Sequence, residues 1–135
     1  MTRRESREKA VCYLYEYACQ PELSVETIVQ TAVEERGETT SGFARMLFET
    51  VIDNLEEVDA RISDASDNWS FKRINKVSLA ILRLATAELC CLPQPTPDEI
   101  AVNEALELAR LLDSEKAVSF INGVLAKVIQ NRGKI

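Results

Sequence analysis

The stretch Val77–Leu92, VSLAILRLATAELCCL, decides the fold. Wound into a helix, its Leu79, Ile81, Leu82, Leu84, Ala85 and Leu89 fall on every side. A helix that is apolar all round belongs in the middle of a bundle. Between Ser78 and Leu92 only Arg83 and Glu88 are ionisable. A span this short carrying two charges is a poor candidate for a bilayer. The stretch therefore predicts the central helix of a soluble all-α domain, with the other helices packed around it.

Outward from that helix, the chain predicts about seven helices in two small bundles, three N-terminal and the rest C-terminal, sharing a core. At 135 residues it makes one domain. Its two subdomains run roughly over residues 2–65 and 69–135, parted by the polar patch Ser63–Asn68. The first helix opens at Thr2, where Thr2-x-x-Glu5 has capping-box spacing, and runs to about Cys19 before Pro21. A second starts after Ser24 and stops at Gly37. From Ser41, apolar positions from Phe43 to Ile62 keep a sustained 3.6-residue period and predict a third helix.

Trp69 leads into a single turn at Ser70–Ile74 before the central helix, and Pro93, Pro95 and Pro97 stiffen the chain after it. Thr96, Pro97 and Glu99 read as N-cap, first helical residue and capping-box glutamate of the next helix. The last helix begins near Asp113 or Ser114 and ends before Gly133.

The net charge of −6 argues against a protein that coats nucleic acid indiscriminately. Its distribution is uneven. Arg3, Arg4, Arg7 and Lys9 oppose only Glu5 and Glu8 in the first ten residues, a balance of +2 that leaves −8 on the remainder. A basic end on an acidic body suggests one small anionic contact and a basic protein partner elsewhere.

There are four cysteines and no histidine. Cys12 and Cys19 lie about 10 Å apart on one helix, beyond disulfide reach. Cys90 and Cys91 are adjacent, and no Cys-x-x-Cys spacing marks a metal site. Free thiols in a reducing cytosol account for them. The N-terminus lacks an apolar signal core, which places the protein in the cytoplasm. Neither a phosphate loop nor a nucleophile elbow is present, and the carboxylates are spaced like solvated helix faces. The expectation is a non-enzyme without metal or cofactor.

Positions 3, 4 and 7 share a helical face, so Arg3, Arg4 and Arg7 are expected to project together. Backbone donors at the helix start add to a site for a nucleic-acid backbone. The alternative is a frayed, solvated terminus. Arg83 and Glu88 read as structural charges. Asn122-Gly123 in mid-helix costs about 1 kcal/mol for the glycine. A close helix approach over Gly123 and a buried Asn122 amide bond are the expected compensation. Phe120 reads as core or, with Lys116 one turn earlier, as a base-stacking and phosphate-contact pair.

Several blocks together resemble the NusB family of bacterial transcription antitermination factors. They are Trp69…Arg73-Ile74…Ala80-Ile81-Leu82-Arg83-Leu84-Ala85…Glu88-Leu89, then Ala101-Val102-Asn103-Glu104-Ala105…Glu107-Leu108-Ala109, and Phe120-Ile121-Asn122-Gly123-Val124-Leu125. The opening Arg3-Arg4…Arg7-Glu8…Ala10-Val11…Leu14-Tyr15 is similar to the family's arginine-rich first helix. The resemblance implies an all-helical fold of two bundles. It implies binding of single-stranded boxA RNA in ribosomal RNA leaders, together with NusE, a small-subunit ribosomal protein, in an RNA polymerase antitermination complex.

Carried over by position, Arg3, Arg4 and Arg7 contact RNA with Lys116 and Phe120 nearby, while Tyr15, Cys19 and Ser78 face NusE. Two departures stand out. Ser78 replaces an acidic residue common in the family, and Glu5 and Glu8 dilute the arginines, so tight RNA binding is expected mainly in the heterodimer. Two other readings stay open. One is the non-catalytic module of an RNA cytosine methyltransferase; no methyl-donor domain follows the last helix, which favours the stand-alone factor. The other is a helical homodimer that binds only protein.

Overall fold

The computed structural model describes residues 1–66 and 70–134 and is all-α among them. Trp69 and the end of the expected interbundle patch, Asp67 and Asn68, lie outside the described residues. Seven α-helices follow one another: α1 (Arg3–Cys19), α2 (Val25–Gln30), α3 (Gly42–Asp53), α4 (Leu55–Ala65), α5 (Lys76–Cys90), α6 (Asp98–Leu112) and α7 (Glu115–Asn131).

Helix starts follow local chemistry. Thr2 and Glu5 form a complete capping box, with Glu5 N–H donating to Thr2 Oγ1 at 3.1 Å and Thr2 N–H to Glu5 Oε1 at 2.8 Å. Ser24, Ser41, Asn75 and Ser114 each accept the backbone N–H three residues on. After α2 the chain widens into a π-helical turn over Thr31–Glu35, then reverses at Gly37, whose φ of 66° favours glycine.

Two boundaries differ from the sequence expectation. The third helix is not continuous: it breaks at Asn54 (φ −120°, ψ 24°), whose side-chain amide donates to Thr50 O at 2.8 Å. Asparagine competes with the helix for its own backbone groups, and the apolar period survives because α3 and α4 both keep it. At α6, Pro97 rather than Thr96 occupies the N-cap and makes no side-chain cap bond. The Thr96 hydroxyl instead donates to Glu88 Oε1 at 2.8 Å, and its N–H to Glu88 O at 2.9 Å.

Helix α5 packs against α1, α3, α4, α6 and α7, and every residue from Ser78 to Leu89 is buried. Each large aliphatic side chain buried there contributes about 1.5–3 kcal/mol. The hydrophobic cluster is continuous from α1 to α7, with α4 packed on α7. Tyr13, unmarked in the apolar stripe of α1, is fully buried; it packs on Phe48 and donates to Thr40 Oγ1 at 2.8 Å. Arg83 binds Asp59 with two 2.9 Å bonds and lies over the Phe71 ring, which ties α5 to α4. No helix among the described residues is long and apolar enough to cross a membrane.

Candidate nucleic-acid interface

The three arginines of α1 do not project together. Arg7 is 7% exposed, and its Nε and Nη2 grip the Glu88 carboxylate at 2.8–3.1 Å. At about 100° per residue position 7 lies between positions 3 and 4 around the axis, but it stands a turn further along α1, where Glu88 of α5 and Glu104 of α6 meet it. Glu88, 1% exposed, also accepts the Thr96 hydroxyl, so the pair joins α1, α5 and the start of α6. Hydrogen bonding to Glu88 raises the Arg7 pKa further, against the opposing effect of burial. Arg7 is a structural charge, a correction to the expectation of an RNA contact.

Arg3 and Arg4 remain at the surface. The Arg3 guanidinium lies 3.8 Å from the centre of the Phe43 ring. Arg4 is 61% exposed along its side chain but is held by Glu104, with Nη2 2.6 Å from Oε2 and Nε 3.3 Å from Oε1. That pairing raises the Arg4 pKa and holds the Glu104 carboxyl below its ordinary value.

A second basic region lies at the other end of α5. A cavity of about 650 Å³ opens between the turn before α5 and the start of α7; its lining includes Arg73, Asn75, Ser78, Ser114, Lys116 and Phe120. Arg73 and Lys116 are exposed and have no carboxylate in ion-pair range among the described residues; Lys72 and Lys76 flank them in the same condition. The Asn75 side-chain oxygen is committed to Ser78 N–H at 2.8 Å, leaving its amide NH2 for a ligand. Phe120 is half-buried at the cavity wall. Cations, an aromatic ring and an amide donor around one hollow are what an unstacked base with its phosphate requires.

The two regions are separated by the length of α5 between Glu88 and Ser78, about 15 Å at 1.5 Å per residue. Four or five stacked nucleotides cover that distance at about 3.4 Å each.

The expected partner-facing residues divide as well. Tyr15 is 44% exposed, and Cys19, one turn on, is also at the surface; interaction with that thiol pushes the Tyr15 hydroxyl pKa up. Ser78 is 2% exposed, and its hydroxyl donates to Asp113 Oδ2 at 2.7 Å. It has no surface to offer a partner, which corrects the expectation; the half-buried Asp113 presents the carboxylate at that place instead.

Asn122 and Gly123 are both exposed, and a Cβ on Gly123 would meet nothing within 4 Å. The expected close helix approach and buried amide are therefore absent, and nothing in the structure explains the glycine. All four cysteines are free, and burial pushes the Cys91 thiol up to about 11. Among the described residues no group of three or more ligands could hold a metal.

The NusB family profile matches residues 4–130. The chain belongs to the NusB family. It is 37% identical over 128 residues to the transcription antitermination protein NusB of Listeria innocua, covering 95% of this chain and 96% of that one. It is 39% identical over 131 residues to the NusB of Acetivibrio thermocellus, covering 96% and 90%.

Among solved structures, Thermotoga maritima NusB superposes with a TM-score of 0.84 at 26% identity, over 98% of this chain and 93% of the other. A chain from a complex of antitermination factors NusB and NusE with double-stranded RNA superposes at 0.79 with 26% identity, over 95% and 96%. Arg73, Asn75, Lys72 and Lys76 were the functional candidates missed in the sequence. Their signal is the Lys72-Arg73-x-x-Lys76 run, which spans the end of the turn expected at Ser70–Ile74 and the first residue of α5.

Proposed function

We propose that this NusB-family chain is a non-enzymatic antitermination factor of the cytoplasm that binds single-stranded boxA RNA of ribosomal RNA leaders. The strand enters at Arg3 and Arg4, crosses the exposed face of α6, and ends with a base against Phe120. Arg73 and Lys116 hold the adjoining phosphates. The observation that carries this reading is the cavity beside an aromatic wall whose cations meet no carboxylate in ion-pair range among the described residues. NusE docks beside the far end of α1, through Tyr15, Cys19 and Asp113. A basic ribosomal protein is matched there to a chain whose overall charge is −6. Together the two proteins join the RNA polymerase antitermination complex and keep transcription processive. The subdomains of residues 2–65 and 69–135 act as one body, because α5 packs against helices on both sides.

The test is a binding assay with purified NusE, a boxA-type RNA and a scrambled RNA. Binding of boxA RNA that NusE strengthens is the expected result. With three to four phosphate contacts, log Kd should change with log salt at a slope of about 2–3, from roughly 0.7 per contact on single strands. No preference over the scrambled strand, or a slope near zero, would refute the reading. Self-association that persists with RNA and NusE present would point to the protein-only homodimer.

A further inference from the structure

We infer that Glu104 is an intramolecular competitor for Arg4 and sets the RNA affinity of the chain by occupying the arginine that RNA must take. The inference rests on the RNA reading above and names how that site is restrained. Arg4, Arg7, Glu88 and Glu104 form a cluster of two cations and two anions with no surplus positive charge. Glu104 holds Arg4 through both carboxylate oxygens. An Arg–carboxylate fork of this kind has the same geometry as an Arg–phosphate fork, so a phosphate cannot engage Arg4 fully until Glu104 lets go.

The cluster is built to make that release inexpensive. Arg7 Nη1 stands 3.6 Å from Glu104 Oε1, while Nε and Nη2 of the same guanidinium hold Glu88. When Arg4 swings out, the 15%-exposed Glu104 keeps Arg7 as a second partner and is not left as an unpaired charge. Arg4 itself is the exposed member and moves through solvent. Arg7, buried and doubly bound, stays. The pair therefore lowers RNA affinity without blocking it.

The experiment is a cycle on the full chain: wild type, Arg4→Ala, Glu104→Gln and the double variant, each titrated with the same single-stranded boxA-type RNA. Glu104→Gln should tighten binding about three- to fivefold, the worth of a partly exposed ion pair. In the Arg4→Ala background the same change should alter binding less than twofold. Glu104→Asp keeps the charge but withdraws the carboxylate by one methylene; it should also tighten binding, and it secures the test if the glutamine variant folds poorly.

Equal tightening in both backgrounds would overturn the inference, because Glu104 would then merely repel RNA. So would no tightening from either Glu104 variant while Arg4→Ala weakens binding. That result would leave the RNA reading standing. RNA binding absent in wild type and every variant would bring down both.

Discussion

Replacing Arg7 by alanine separates structure from recognition at the start of α1. The substitution removes three hydrogen bonds of 2.8–3.1 Å to Glu88 and leaves that carboxylate, 1% exposed, with only the Thr96 hydroxyl as side-chain partner. Breaking a buried ion pair from one side costs about 3–5 kcal/mol, since the remaining charge stays desolvated. Unfolding entropy near 2.1 cal/mol/K per residue converts this to a fall in Tm of roughly 10–18 °C for a chain of this length. Calorimetry and urea titration, run beside Arg3→Ala and Arg4→Ala, provide the measurement. Those two exposed arginines should shift Tm by no more than about 3 °C, as surface substitutions do. The variant Arg7→Met/Glu88→Leu should recover most of the loss, because a well-packed apolar pair avoids the orphaned charge. If Arg7→Ala melts within about 3 °C of wild type, the pair is not structural and Arg7 returns to the RNA-facing set.

Other expectations follow from the same geometry. Substituting Arg73 and Lys116 together by alanine should weaken boxA binding at least tenfold and lower the salt slope by about 1.4, two contacts at roughly 0.7 each, with Tm unchanged. An unaltered slope would remove the cavity from the RNA path. Thr86 is fully buried and its hydroxyl has no hydrogen-bond partner among the described residues. Thr86→Val should raise stability by about 1 kcal/mol, measured by urea titration, since an unsatisfied buried hydroxyl costs about 1–3 kcal/mol.

Acid should loosen the surface ties selectively. Asp98 bound to Arg132, Glu38 bound to Arg36 and Lys9, and Glu104 bound to Arg4 all have folded pKa values below their ordinary 3.8 or 4.5. Their stabilisation is complete above those ordinary values and drains as pH falls through the lower folded ones. A Tm that holds steady from pH 7 down to 5.5 and then declines below pH 4.5 is expected. A decline that begins near pH 6 would contradict it.

The sequence spoke clearly where a residue acts on its own neighbours. Thr2, Ser24, Ser41 and Ser114 cap helices by accepting an N–H three residues on, a local bond that spacing alone predicts. The all-round apolar α5 was equally legible, because its composition admits only a buried position. Reading failed where a side chain had two suitors and the winner lay far along the chain. Thr96 has the spacing of a cap, but Glu88, eight residues back, claims its hydroxyl. Ser78 looks like a surface polar residue until Asp113 accepts its proton. Arg7 shares a helical face with Arg3 and Arg4 on a wheel, but a wheel shows angle and not what covers it.

The same limit explains the candidate interface. A cation's usefulness to RNA depends on which carboxylates are within reach after folding. The basic N-terminus, conspicuous as a run of arginines, places Arg7 and Arg4 beside Glu88 and Glu104, at separations of 81 and 100 residues. The less conspicuous Lys72-Arg73-x-x-Lys76 run and Lys116 meet no carboxylate in ion-pair range among the described residues. Among the described residues of these two regions, positive charge without a carboxylate partner thus lies at the cavity and at Arg3, while Arg4 and Arg7 at the other end of α5 are restrained. A strand bound at both ends would be anchored by the cavity and completed by Arg4. The order is measurable: removing the cavity cations should speed RNA dissociation more than removing Arg4. The reverse ranking would place the anchor at α1.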